Sequence, residues 1–295
     1  MDTANLAAFL AVAATGSFSR AAEQLHLTQP AISKRIATLE QQLGVRLFDR
    51  IGKHVGLTEA GRTLQPRAEL IINTFNDTRR ALGNLSASIQ GRLSLATSHH
   101  IGLHRLPPVL RRFTKAYPGV VLDIDFLDSE VAYDKVLQGE IELAVITLAP
   151  QVEPPLIATR IWLDQLEFVV APEHPLAGRQ EVQLSQLAAY PAVFPGVNTF
   201  THNVVAQLFE RHGVSPQVSM STNYMETIKM MVSIGLAWSV LPRTMIDSQV
   251  RVLPVPDARL VRDLGCIHHS GRTLSNAGRA LIELLHTERE SDTVT

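Results

Sequence analysis

Pro30, Ser33, Lys34, Ala37, Thr38 and Gln41 recur every three or four residues in the stretch QPAISKRIATLEQQL, with Arg35 on the flank. At 100° per residue they share one side of a helix, opposite a stripe of Ile32, Ile36, Leu39 and Leu43. An amide, a hydroxyl and an ammonium among small residues suit one chemistry: hydrogen bonding to base edges and phosphates in a DNA major groove. Ser33 and Ala37 are slim enough to let the helix seat deeply, and Lys34 then reaches a base or a phosphate. The competing reading is a small helical domain with a solvated polar face.

A second set of polar residues follows strand-like segments further along. Thr97, Ser98, His99, His100 and Ile101 come after RLSLAT, and Thr147 ends IELAVIT. Pro195, Asn198, Thr199, Phe200 and Thr201 come after AVF, and Asn223 after QVSM. Hydroxyls and free N–H groups beyond the carboxyl ends of strands suit a small ligand, a carboxylate or other anion among them. His99 and His100, with His104 nearby, could offer imidazoles to such a ligand or to a metal, or be structural. Adjacent histidines point apart, and no cysteine or paired carboxylate stands close in sequence. The expectation is therefore no metal and no cofactor.

No catalytic signature accompanies these residues: G-x-S-x-G, H-E-x-x-H, the P-loop and G-x-G-x-x-G are all missing. The chain is not expected to be an enzyme. It has 295 residues, 45% of them hydrophobic and 19% charged, ample for packed cores. Net charge is −1, unevenly spread. Residues 1–90 hold 10 Lys and Arg against 7 Asp and Glu, and the remainder is acidic. A single cysteine, Cys266, excludes an internal disulfide and reads as a small buried apolar residue. The apolar run Leu6–Ala14 lacks a preceding Lys or Arg, and no segment reaches the roughly 18 apolar residues of a membrane span. A cytoplasmic protein that does not engage a membrane is expected.

Three short helices must carry the first polar face. Leu6, Phe9, Leu10 and Ala13 mark one, ended by Gly16; Phe18, Ala21, Ala22 and Leu25 mark a second. Pro30 opens the third, and Gly44 ends it. VRLFDRIGKHVGLT then reads as a hairpin displaying Arg50 and Lys53, a wing along the phosphate backbone. From Thr58, a helix cap, Leu64, Ala68, Ile71, Phe75, Thr78, Leu82, Leu85 and Ile89 follow at alternating intervals of four and three. That heptad seam predicts a partner helix, or else packing on the helix's own domain. After Gly91 strands and helices alternate in two α/β units, with a helix over Gly102–Ala116 and a late strand LGCIHH completing the first unit.

The pattern FLAVAATGSFSRAAEQLHLTQPAISKRIATLEQQLGVRLFDR, followed by LTEAG, closely resembles the amino-terminal domain of LysR-type transcriptional regulators. The resemblance is dense over residues 5–66 and looser beyond. It implies an α-helical winged helix-turn-helix domain (1–58) and a long linker helix for dimerisation (59–90). A two-lobed α/β periplasmic-binding-protein-like domain (91–295) would follow, its first lobe built from 91–162 and 267–295 and its second from 163–266. Gln29, Pro30, Ser33 and Lys34 would read DNA, and Arg50 would touch the backbone. Leu64, Ile71, Phe75, Leu82 and Leu85 would dimerise the chain. The implied partners are partly palindromic double-stranded DNA, a small-molecule effector and further copies in a dimer or dimer of dimers; RNA polymerase is left open. The alternative is a small-molecule-binding α/β protein or enzyme with an accessory amino-terminal domain.

Overall fold

In the computed structural model, which describes residues 2–51, 54–86 and 88–291, the chain divides into two units, Met1–Leu82 and Gly83–Thr295. In the first, Asp2 accepts the N–H of Ala4 and opens α1 (Thr3–Thr15). Ser17 caps α2 (Phe18–Gln24), and Thr28 caps α3 (Gln29–Leu43). Pro30 sits in the first turn of α3, where its missing N–H forfeits no bond. Gly44, at φ 71°, ends α3 in the left-handed region that glycine adopts without strain.

Leu6, Phe9, Val12, Ala21, Ile32, Ile36 and Leu39 form one buried cluster. Leu43, expected in that stripe, is instead 37% exposed, because the last turn of α3 runs past the core. β1 (Phe48–Ile51) and β2 (His54–Leu57) pair antiparallel. Phe48 is buried beside Phe9 and Phe18, at ring separations of 5.4 and 5.9 Å, and so anchors the hairpin to the helices.

α4 (Glu59–Gly83) starts where Thr58 Oγ1 accepts the N–H of Gly61. Leu64 and Ala68 pack into the core of their own unit, so this part of the expected seam is already used. Ile71, Phe75 and Leu82 remain exposed, the last two at 46% and 64%. The spacing predicts a helix to residue 90, but α4 stops at Gly83, leaving Leu85 and Ile89 off the seam. Asn84 provides the reason. Its side chain donates to the carbonyl of Leu274 and accepts the N–H of Asn276, bonds made within the second unit, to which Asn84 belongs.

The second unit opens with β3 (Gly91–Thr97), α5 (His99–His104), α6 (Leu106–Ala116), β4 (Val120–Phe126), α7 (Ser129–Gln138) and β5 (Leu143–Thr147). β3 lies between β4 and β5, all parallel. The single helix expected over Gly102–Ala116 is two: it begins at His99 and breaks at Arg105, since Pro107 and Pro108 cannot donate backward. β6 (Leu156–Val170) then leads to α8 (Leu184–Leu187), β7 (Pro191–Phe194), α9 (Phe200–Arg211), β8 (Gln217–Ser221), α10 (Met225–Ser233), β9 (Ser239–Pro242) and β10 (Arg251–Val252). β11 (Leu260–His269) returns along β6, and α11 (Asn276–Ser291) closes the unit.

Two apolar cores define two lobes. Leu93, Ile101, Phe113, Trp162, Leu264, Cys266 and Leu281 share the first. Leu166, Phe168, Phe194, Phe209, Trp238 and Leu260 share the second, with α10 on its other face. Trp238 is thus fully buried core. Both crossovers are strand segments: β6 passes between Trp162 and Leu166, and β11 returns between Leu260 and Leu264. The return, expected after residue 266, comes earlier because Leu264 and Cys266 face the first core.

Candidate nucleic-acid interface and ligand cleft

On α3 the buried stripe turns the polar face outward: Gln29, Pro30, Lys34 and Ala37 are exposed, Ser33 and Thr38 half-buried. Gln29 Nε2 donates to Ser33 Oγ at 3.0 Å, so amide and hydroxyl stand side by side one turn apart. Thr38 Oγ1 donates to the carbonyl of Lys34 at 2.9 Å and is turned toward its own helix. Arg35 departs from the expected open face, because its guanidinium donates to the carbonyl of Ala4 and ties α3 to the start of α1. Arg50 lies on β1, with Arg46 exposed just before the hairpin; Lys53 lies outside the described residues.

In the second unit a narrow cleft, open to solvent, runs between the lobes. Ser98, His99, His100, Thr147, Pro195, Thr199, Thr201 and Asn223 line it, as their places at strand ends require. Thr97 and Ile101 do not. Thr97 is buried and donates to the carbonyl of Val145, and Ile101 is wholly within the first core. Asn198 is exposed and off the lining, while the Phe200 ring packs edge-on against Tyr133 at 5.4 Å.

Sequence reasoning missed the charged lining: Asp128, Glu130 and Arg262. Glu130 accepts the N–H of Phe200 at 2.6 Å, so a carboxylate from α7 meets the first turn of α9 in the other lobe. Asn223 donates to Asp128 at 2.6 Å and accepts the N–H of Gly196 at 2.9 Å. Arg262 projects from the β11 crossover and donates to Thr201 Oγ1 at 2.6 Å and to Asp164 at 2.9 Å. Asp164 faces it across the strand pair, 1% exposed, with an Arg105 nitrogen 3.6 Å away.

His100 sits behind this pair, 4% exposed, and neither ring nitrogen has a hydrogen-bond partner. Burial first, then the charges of Arg262, His104 and Arg105, push its pKa down to about 2. The ring is therefore neutral, and its 4.0 Å approach to Asp164 is not an ion pair. His99 instead lies against Phe126 and Tyr224. His104 Nε2 is 3.0 Å from Glu226 Oε1 on α10. The cleft holds donors, hydroxyls and two carboxylates that can bind and orient a polar molecule.

Burial pushes the Cys266 thiol up to about 11. Native protein at pH 8 is expected to resist iodoacetamide at this residue, and denatured protein to react fully. Rapid labelling of the native form, measured by mass spectrometry, would remove Cys266 from the core role assigned here. Among the described residues, no helix is long and apolar enough to cross a membrane.

Comparison with known proteins matches residues 3–62 to the family of bacterial regulatory helix-turn-helix proteins of the lysR type, and residues 86–290 to the LysR substrate binding domain. An HTH-type regulator from the ibpB-leuC intergenic region of Azotobacter vinelandii is 71% identical over 108 residues, 37% of this chain and 75% of that protein. The regulator YeiE of Escherichia coli K12 is 33% identical over 288 residues, 94% of each chain. Full-length CbnR, solved in a complex with its target DNA, superposes with a TM-score of 0.66 at 22% identity, covering 98% of this chain and all of that one. The last likeness is one of fold.

Proposed function

This chain belongs to the LysR family of transcriptional regulators, and on that premise we propose how its residues divide the work of binding DNA and sensing a small molecule. α3 enters the major groove with Gln29, Ser33 and Lys34 toward the bases, Pro30, Ala37 and Thr38 close to the groove wall, and Arg50 of the wing along the phosphates. The observation that carries this is the orientation of α3: its aliphatic stripe is buried and its slim polar face is open. Arg35 keeps α3 seated on α1. A protein with this task works beside the chromosome, in the cytoplasm.

The exposed half of the α4 seam supports a dimer, in which two copies of α3 read the halves of a partly palindromic site. Phe75→Glu is expected to shift the full chain to monomer in light scattering without lowering its melting temperature, because Phe75 is exposed in the single chain. An unchanged mass would remove this seam from the interface.

The effector occupies the cleft between Ser98, Thr199, Thr201, Arg262 and Asn223. An effector carrying only negative charge fits less well than expected, since Asp164 already matches Arg262, and Asp128 and Glu130 face the opening. A small hydroxylated or amphoteric molecule, with its acidic end toward Arg262, suits the lining better. Effector binding and DNA binding are then coupled by about 1–3 kcal/mol. The test is footprinting on the DNA upstream of the chain's own gene, together with a thermal-shift screen of metabolites. A hit should raise the melting point, alter the footprint, and lose effect in Ser98→Ala, with operator affinity intact in its absence. No protected site on that DNA would count against the regulatory reading.

A further inference from the structure

We propose that His100, His104 and Glu226 form a binding site for a divalent transition-metal ion, zinc being the reference, held across the two lobes at the edge of the cleft. One ligand atom from each residue lies within 4.8 Å of the other two. His100 and His104 share a face of α5 at i and i+4, ring centroids 5.1 Å apart, and the His104 nitrogen is 3.0 Å from the Glu226 carboxylate. Four-coordinate zinc, with bonds of about 2.0–2.1 Å, wants its ligand atoms about 3.3 Å from one another. Side-chain torsions are the adjustable part of closing that gap.

The state of His100 argues for an ion. A buried imidazole normally gives its N–H to a neighbour and accepts with its other nitrogen; here neither nitrogen has a partner. Among the surrounding charges, Arg262 and Arg105 share Asp164, and Glu226 brings a carboxylate to the site itself. Two imidazoles and one carboxylate suit zinc, cobalt(II) or nickel(II) rather than calcium or magnesium. His104 and Glu226, at 34% and 38% exposure, leave a way in from solvent. A fourth position stays available to water, beside a cleft that His100 also lines.

The two histidines belong to the first lobe and Glu226 to the second, so a bound ion ties the lobes together and favours the closed cleft. The site rests on these three side chains and is independent of the DNA-binding reading. It is tested with tag-free full chain by zinc titration against a chromophoric chelator and by the visible spectrum of the cobalt(II) form. One equivalent should bind with a four-coordinate cobalt spectrum. Loss of an outer partner of a metal ligand already weakens binding by about 10–100-fold. His104→Ala and Glu226→Gln should therefore each weaken zinc binding at least tenfold, with unchanged circular dichroism. Glu226→Gln preserves side-chain shape and guards against a folding artefact. Absence of stoichiometric binding overturns the site; so does equal affinity in both variants, which would put the ion on other histidines.

Discussion

Asp164→Asn is expected to lower the stability of the second unit by about 3–5 kcal/mol, the cost of stripping a buried charge of its partner. The carboxylate is 1% exposed and Arg262 6% exposed, so water cannot take its place. Asp164 accepts from Arg262 Nε, stands 2.9 Å from its Nη2 and 3.6 Å from Arg105. Asparagine keeps the shape but leaves a guanidinium uncompensated. Because Arg262 also holds Thr201 in the first turn of α9, the variant should lose effector response as well as stability. Urea denaturation of the full chain, followed by tryptophan fluorescence, gives the number; both tryptophans lie in this unit. A companion variant that removes both charges, Asp164→Leu with Arg262→Met, should recover part of the loss. A change below about 1 kcal/mol in Asp164→Asn would mean that the pair is hydrated and does not hold the crossovers.

The second large effect is on DNA. Lys34→Ala removes one cation per protomer from the centre of the α3 face. In a dimer the salt dependence of operator binding should flatten by nearly two, at about 0.9 for each phosphate that is no longer neutralised. Should Lys34 touch a base instead, the slope would hold and discrimination would fall by about 1–3 kcal/mol per half-site. Ser33→Ala and Gln29→Ala should change sequence preference more than salt response, because both are uncharged. Anisotropy titrations over a range of potassium chloride separate the two effects. Wild-type binding by both Lys34→Ala and Ser33→Ala would move the reading surface away from this helix. None of the three should affect thermal stability, since these side chains lie outside the buried cluster.

The amino-terminal unit is readable in the sequence because each of its elements is locally complete. A proline in the first turn, a closing glycine at Gly44 and an aliphatic stripe all point to one helix and one buried side. The cleft is only half readable. Hydroxyls at strand ends are visible as such, and Ser98, Thr147, Thr199 and Thr201 duly converge. Asp164 and Arg262 are not visible in that way: each interrupts an apolar strand, and only the 98-residue separation closed by the β6–β11 pairing makes them neighbours. That interruption also hides the first four residues of β11 and so displaces the expected return crossover. Glu226 stands 122 residues from His104, so the sequence could not supply a carboxylate to the histidines. The linker helix is shorter than its heptad spacing predicts because the spacing outlasts the helical backbone, which Asn84 diverts into side-chain bonds.

Strands β6 and β11 give the second lobe an unusual status in the chain. It leaves and rejoins the first lobe at opposed positions, Asp164 facing Arg262 and Leu163 facing Asp263. Topologically it is a cassette with adjoining ends. Trading it for the equivalent segment of a homologue would require no new linker, only a matching acid–base pair at the seam. Ligand preference in such proteins could therefore be re-engineered by transplanting a single contiguous piece, leaving the operator-reading end and its assembly surface untouched.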